Sequence, residues 1–202
     1  MIQTGRGSRS GLCYTNFMTR ILRYVTHPQV HIDPSVPIPD WSLSEVGRRR
    51  AAIFANLPLL SETSAIASSA ENKARETAEI ISSVVNAPIQ IYEKSHENDR
   101  SATGFLEQQE VEKVADRFFA SPWESIRGWE KAIDAQRRIV SDTARLVRKN
   151  LEGDLLMVGH GAVGTLLFCH LAELDINRKH DQPGGGGHIF LYNLDTQTVC
   201  HP

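Results

Sequence analysis

The sequence predicts an α/β fold, a three-layer α/β/α sandwich around a mostly parallel sheet. Short runs of apolar and β-branched residues alternate along the chain with longer segments of helical periodicity. Runs such as "DLLMVG" are too apolar to face water on either side, which is typical of strands covered by helices on both faces. These two patterns together favour helices packed on both sides of one sheet.

The first half of the chain alternates strand and helix. Residues 20–26 ("RILRYVT") are predicted as a strand, and the four prolines of "HPQVHIDPSVPIPDWS" predict a loop after it. A helix is then expected to begin at Ser42, which has Glu45 at capping-box spacing. "SAIASSA" predicts a second strand, which leads into a helix over "ENKARETAEIISSVV".

The second half continues the alternation. "APIQIYE" alternates as a third strand, and "VEKVADRFFA" and residues 123–150 have helical periodicity. "DLLMVG" is predicted as a fully buried strand and "AVGTLLFCHLAEL" as the helix that follows it. "GGGGHIFLYNLDT" predicts a glycine turn and a final strand that ends in an Asn/Asp turn.

The length predicts one folded domain over residues 18–202, since 202 residues with 41% hydrophobic side chains suffice for a single core. Residues 1–17 hold Arg6 and Arg9, and the first acidic residue of the chain is Asp33. A transit peptide is one interpretation of this segment, but it shows no amphipathic period, so it is expected to be a disordered or non-native leader, with "MTRILRYV" opening the domain at Met18.

Composition excludes several classes of partner. Lys and Arg (22) nearly balance Asp and Glu (24), a pattern unlike that of nucleic-acid-binding or membrane-surface proteins. Three widely spaced cysteines fit a reducing compartment, so the protein is expected in the cytoplasm. No cofactor is predicted. No metal site is predicted either, because prolines exclude the helix that would pair His31 with His27.

Two histidines directly follow predicted strands. His27 directly follows "RYVT", and His160 lies between Gly159 and Gly161, directly after "DLLMVG". Ligands in parallel sheets bind beyond the carboxyl ends of the strands, so both imidazoles are expected at one cleft. There a neutral ring can attack an electrophile while a second ring stabilises developing negative charge. Such a pair suits a reaction through a histidine–phosphate adduct.

Five blocks of sequence resemble, in order and spacing, the motifs of the histidine phosphatase superfamily, whose fold is phosphoglycerate mutase-like. Each block is a weak signal alone, but together they are specific, and the resemblance extends from Met18 to about Thr196. The blocks are "YVTHPQV", "WSLSEVGRRRA", "IASSAENKARETAEII", "HENDRSATG" and "LLMVGHGAVGTLL". The chain is identified on this basis as a divergent member of the superfamily.

The resemblance implies a role for each matching residue. His27 matches the histidine that is phosphorylated, and Glu97 lies where the family keeps its acid/base carboxylate. His160 matches the second histidine, which helps to hold the phosphoryl group. Lys73 takes the place of a phosphate-gripping arginine, and Gly161 matches a small residue whose backbone N–H can reach the phosphate.

The departures from the family pattern weaken the predicted phosphate site. The chain has Thr-His-Pro in place of Arg-His-Gly, so Thr26 offers one hydrogen bond and no charge. Lys73 keeps a charge but lacks the planar fork of arginine. Losing one charge-assisted hydrogen bond is worth roughly 1.5–3 kcal/mol, or roughly a ten- to hundredfold loss of rate. Arg100 is assigned to the phosphate site as a replacement, with Arg23 and Arg75 as alternatives.

Each candidate also has an ordinary structural explanation. A histidine at a strand end is often structural when it stands alone, and Lys73 lies on a helix whose charged face is by default solvated. Asp99 is a rival to Glu97 as the catalytic carboxylate. The glycines beside His160 have no evident packing role, which favours the functional interpretation. Residues 183–187 ("PGGGG") lack the Lys-Ser/Thr of a P-loop and predict a turn bordering the cleft.

The predicted function is a metal-independent phosphomonoester phosphatase that acts through a phosphohistidine. The alternative is a weak or inactive pseudoenzyme that binds a phosphorylated metabolite or protein, and a phosphoglycerate-type mutase is disfavoured because the chain is short. The expected partner is a small phosphorylated substrate or a phosphoprotein. Residues 28–39 and 107–129 are expected to shape its pocket, and the sequence carries no signal for an oligomeric state.

Overall fold

One six-stranded sheet organises the fold. The computed structural model describes residues 19–200, and the predicted leader over residues 1–17 lies outside the described residues. The strands are β1 (Ile21–Thr26), β2 (Thr63–Ser68), β3 (Ile89–Ile91), β4 (Asp154–Gly159), β5 (Ile189–Asn193) and β6 (Thr198–Cys200). The helices are α1 (Glu45–Ala55), α2 (Asn72–Val85), α3 (Gln108–Ala120), α4 (Ala132–Lys149) and α5 (Gly161–Leu171).

The strand order is β3-β2-β4-β1-β5-β6. The four strands β3, β2, β4 and β1 run parallel, and β5 and β6 add an antiparallel edge. The predicted α/β class with a mostly parallel sheet is therefore confirmed. Because β1 and β4 are neighbours with Thr26 opposite Gly159 in register, the residues that follow them emerge side by side.

Helices cover both faces of the sheet, and β4 shows this most directly. Leu155 and Met157 belong to a buried cluster with residues of α3, α4 and α5. Leu156 and Val158 point to the opposite face, into a second cluster with residues of α1 and α2. Alternate side chains of a strand lie on opposite faces, so the all-apolar β4 is buried on both. This is the three-layer sandwich that the sequence predicts.

Two predicted helix boundaries were wrong. The first helix is capped by Ser44, not Ser42, and the Ser44 hydroxyl accepts the N–H of Gly47 at 3.0 Å. A bridge between Val30 and Leu43 keeps the preceding residues extended. The predicted helix over 123–150 begins only at Ala132, because the backbone takes positive φ at Arg127 and Gly128 (54° and 82°) and cannot continue as a helix there.

The end of the described chain adds a strand that the sequence analysis missed. The turn after β5 leads into β6, which pairs antiparallel with β5 through Leu191 and Cys200. Three residues are too few to show alternation, so the pattern gives no signal. No helix within residues 19–200 combines the length and apolarity needed to cross a membrane.

Candidate active site

The two strand-end histidines lie together at the carboxyl edge of the sheet. The ring centroids of His27 and His160 are 5.2 Å apart, at an interplanar angle of 66°. The backbone N–H of His27 donates to the carbonyl of Gly159 at 2.9 Å, which extends the β1–β4 ladder by one bond. The parallel pairing of the central strands therefore brings together two rings that are 133 positions apart in sequence.

His27 is held in one tautomer. Its Nδ1 lies 2.9 Å from the carbonyl oxygen of Pro28, which can only accept, so Nδ1 carries the proton and Nε2 keeps its lone pair. Burial lowers the pKa of His27 to about 4, and the positive charges of Lys73 and Arg100 act in the same direction. The ring is therefore neutral at pH 7, with a nucleophilic nitrogen.

The glycine-rich turn before β5 fixes the backbone of His27. The N–H of Gly187 donates to the His27 carbonyl at 3.2 Å. Gly186 has φ of +63°, and a Cβ there would lie 2.2 Å from the same oxygen. Arg50 holds the turn from the other side by donating to the carbonyls of Gly185 and Gly186, each at 2.7 Å. The predicted turn thus supports the histidine from behind.

His160 is fully buried. Its Nε2 shares a 2.7 Å hydrogen bond with the hydroxyl of Ser69 and lies 3.7 Å from a carboxylate oxygen of Glu71. Burial lowers the pKa of His160 well below its usual value, although the charge of Glu71 opposes this. The second imidazole is therefore also neutral at pH 7.

The phenol of Tyr24 fixes the backbone of His160. Its oxygen accepts the N–H of His160 at 2.9 Å and donates to the carbonyl of the same residue at 3.0 Å. Burial raises the pKa of Tyr24, so the hydroxyl keeps the proton that it donates. The ring fits only because its neighbours are glycines: a Cβ at Gly159 would lie 2.2 Å, and one at Gly164 2.5 Å, from Tyr24 atoms.

The expectation that both glycines beside His160 lack a packing role was therefore wrong for Gly159. For Gly161 it agrees with the structure, because a Cβ there would meet no atom within 4 Å. Gly161 is the first residue of α5.

Lys73 and Glu71 form a buried ion pair beside His160. Lys73 is 3% exposed, so the interpretation of its helix face as solvated was wrong at this position. Its Nζ donates to the carbonyl of Ile38 at 2.8 Å and to a carboxylate oxygen of Glu71. Burial alone would raise the pKa of Glu71, but His160 and Lys73 outweigh it and bring that pKa to about 2.

Glu97 lies at the N-terminus of α5. Its carboxylate accepts the N–H groups of Ala162 and Val163 at 3.3 and 3.2 Å, and its own N–H donates to Glu71 at 2.8 Å. A carboxylate is favoured at this positive end of a helix. The rival Asp99 instead accepts the N–H of Ser101 at 2.8 Å, closing its own loop.

The remaining predicted phosphate ligands are unevenly placed. The hydroxyl of Thr26 donates to Gln182 at 3.0 Å and accepts the N–H of His188 at 3.0 Å, so it is already engaged. The guanidinium of Arg100 lies 5.9 Å from the ring centre of Trp129, beside the cleft. The alternative Arg23 is excluded because it pairs with Asp154, at the opposite end of β4.

Arg75 is excluded as well, since its side chain is about half exposed on α2 and its nearest carboxylate is Glu79. Of the three arginines considered, only Arg100 lies beside the cleft, where it lines two adjoining cavities.

The first of these cavities, of about 540 Å³, has Glu71, Glu97 and Arg100 in its wall, while neither His27 nor His160 is among its lining residues. The second, of about 310 Å³, is lined largely by apolar side chains, including Ile32 and Phe105. Residues of the 28–39 loop and of the 107–129 segment contribute to these walls, as the sequence analysis expects. The volumes are in the range of small-molecule sites.

Fold and site define a class: an α/β protein whose central parallel strands present two neutral histidines to one cleft. The family profile described as histidine phosphatase superfamily (branch 1) matches residues 35–197. The chain therefore belongs to the histidine phosphatase superfamily. The match begins after His27, where the chain has Thr-His-Pro. A comparison with curated proteins found no significant match.

Solved structures share this fold. Mycobacterial glucosyl-3-phosphoglycerate phosphatase is 19% identical, with a TM-score of 0.73 over 85% of this chain and 89% of that one. YhfR of Bacillus stearothermophilus is 22% identical (TM-score 0.73; 90% and 95% covered). Phosphoserine phosphatase of Entamoeba histolytica is 16% identical (TM-score 0.72; 90% and 94% covered). At these identities the likeness shows that the fold is shared.

Proposed function

We propose that the protein is a metal-independent phosphomonoester phosphatase that forms a phosphohistidine at His27. One observation carries the proposal: the hydrogen bond from Nδ1 to the Pro28 carbonyl leaves the Nε2 lone pair of a neutral ring free at the cleft. Here the tautomer is the one that nucleophilic attack requires.

The reaction then proceeds in two balanced steps. Nε2 of His27 attacks phosphorus, the P–N bond forms, and the P–O ester bond breaks while Glu97 gives a proton to the departing oxygen. A water molecule next attacks phosphorus and forms a new P–O bond while Glu97 takes a proton from that water. Cleavage of the P–N bond then returns the free imidazole and phosphate. His160, Lys73 and Arg100 are proposed to hold the phosphoryl oxygens.

Two further groups are proposed at the phosphoryl site, the backbone N–H of Gly161 and the hydroxyl of Thr26. Gly161 suits the role because the space in front of it is open. Thr26 must first exchange its bonds to Gln182 and His188. The substrate is proposed to be a small phosphorylated molecule, because the cavity beside Glu97 has the size of a metabolite site.

One observation favours the alternative, a receptor that binds a phosphorylated ligand without turnover. Lys73, which takes the place of a phosphate-gripping arginine, is paired with Glu71 instead of being free. Such a site binds anions weakly and transfers phosphoryl groups slowly. The receptor and the enzyme differ in one respect, since only the enzyme forms a covalent phosphate.

The test is phosphate release from a broad panel of phosphomonoesters in the presence of a chelator, with His27→Ala as the variant. His31→Ala is the matched control, because His31 lies four positions away and is exposed. We expect release by the wild type and by His31→Ala, and none by His27→Ala. Rapid-quench trapping should find phosphate bound covalently to the wild type and not to His27→Ala. Binding of phosphate without release or trapping would favour the receptor.

A further inference from the structure

The groups predicted to hold a phosphoryl group already hold a carboxylate of the chain itself. One oxygen of Glu71 accepts from Lys73 Nζ. The other accepts the N–H of Glu97 at 2.8 Å and lies 3.7 Å from Nε2 of His160. A carboxylate is planar and a phosphoryl group is tetrahedral, but both are oxyanions that accept hydrogen bonds from the same donors. Glu71 therefore stands where an entering phosphoryl oxygen would find its partners.

The charges of the site oppose a second anion. Both histidines are neutral at pH 7, so Lys73 is the cation in contact with the carboxylate, and Glu71 cancels it. A second positive charge, that of Arg100, lies in the wall of the cavity that Glu71 also lines. A phosphomonoester dianion that entered beside Glu71 would be repelled by this carboxylate in a poorly solvated cleft, where screening is weak.

Glu71 has room to leave. It is the N-cap residue of α2 with an extended backbone (φ −69°, ψ 139°), and its side chain makes no capping bond to that helix. It also lines the cavity of about 540 Å³, so rotation of the side chain would carry the carboxylate into open space. The movement breaks its contacts with Lys73, the Glu97 N–H and His160 without unwinding α2.

We propose that Glu71 is a specificity-determining residue that competes with the phosphoryl group for Lys73 and His160. The inference rests on the phosphoryl site of the proposed function. Inorganic phosphate alone binds weakly, because it must displace the carboxylate with no other contact to help. A good substrate carries a leaving group that fills the adjoining cavities, and this added binding displaces Glu71.

The test is the affinity for inorganic phosphate, measured by titration calorimetry at pH 7, in Glu71→Gln and in the wild type. Glutamine keeps the size of the side chain and removes its charge. We expect phosphate to bind at least about tenfold more tightly, which corresponds to about 1.4 kcal/mol. The matched control is Glu79→Gln on the same helix, because Glu79 is exposed and pairs loosely with Arg75; its affinity should equal that of the wild type.

A purely structural role for Glu71 predicts the opposite result. If Glu71 only supports the fold and phosphate does not bind at Lys73 and His160, the folded glutamine variant binds phosphate no better than the wild type, and the inference is overturned. Should Glu71→Gln fail to fold, Glu71→Ala is purified in acetate, which can supply the missing carboxylate. Added phosphate must then compete with acetate in raising the melting temperature, and a lack of competition overturns the inference.

The outcome is separable from that of the proposed function. Tighter phosphate binding by Glu71→Gln, with no covalent phosphate in either protein, supports competition by Glu71 and refutes the phosphatase. Turnover by the wild type with unchanged or weaker phosphate binding in Glu71→Gln supports the phosphatase and refutes the competition.

Discussion

The contact between Tyr24 and the backbone of His160 yields a prediction that does not depend on the substrate. Tyr24→Phe removes one oxygen from a fully buried ring. The His160 carbonyl keeps a partner, since it also accepts the N–H of Gly164 at 3.1 Å. The His160 N–H loses its acceptor and stays buried. One such unsatisfied group costs about 1–3 kcal/mol of unfolding free energy.

In a domain of this size each kcal/mol lowers the melting temperature by about 2–4 °C. We therefore expect Tyr24→Phe to melt about 2–12 °C below the wild type in a circular dichroism scan. Activity should fall as well, because a shift of the second imidazole by about 1 Å can reduce the rate by about a hundredfold.

The matched control is Tyr92→Phe. Tyr92 has a similarly buried ring, but its hydroxyl makes only a long bond of 3.4 Å to Gln90. This variant should melt within about 2 °C of the wild type. Equal melting temperatures for Tyr24→Phe and Tyr92→Phe would show that the phenol does not hold His160 in place.

Three further predictions concern the same site. Gly186→Ala should lower the free energy of unfolding in urea by about 2–4 kcal/mol, because its Cβ would meet the His27 carbonyl and its φ is positive. Gly184→Ala, with open space around it, should stay near the wild type, and similar losses in both variants would contradict this account. Since burial lowers the pKa of His27 to about 4, the unfolded chain binds this proton first, and His27 should make stability fall by up to about 1.4 kcal/mol per pH unit as pH drops from about 6.5 towards 4. His160, whose pKa is also lowered by burial, adds to the slope. His27→Gln should therefore reduce the slope by the His27 contribution, and an unchanged slope would contradict this account. Glu97→Gln should reduce kcat for alkyl phosphates by about 10²–10⁴-fold. The reduction should be much smaller for p-nitrophenyl phosphate, whose leaving group needs no proton, and equal losses of kcat for both substrates would rule out Glu97 as the acid.

The sequence predicted the parts of the fold that periodicity encodes. Five of the six strands and all five helices lie in segments whose apolar pattern indicates them, because burial imposes a period of two on strands and 3.6 on helices. Boundaries were less certain. From the sequence alone Ser42 and Ser44 are equivalent as helix caps, and only the pairing of Val30 with Leu43 decides between them.

The sequence also determined that His27 and His160 meet. Each follows a buried strand, and parallel strands present their carboxyl ends at the same edge of a sheet. The superfamily resemblance likewise followed from motif order along the chain, and the family profile confirms it.

Only the tertiary structure decided which partner each polar side chain takes. Glu71 pairs with Lys73 two positions away, yet its second oxygen binds the N–H of Glu97, 26 positions away, and no local period records that contact. Tyr24 and His160 are 136 positions apart. Hydrogen bonds and ion pairs act over about 3–4 Å, so they depend on how the layers pack, which strand and helix propensities do not specify.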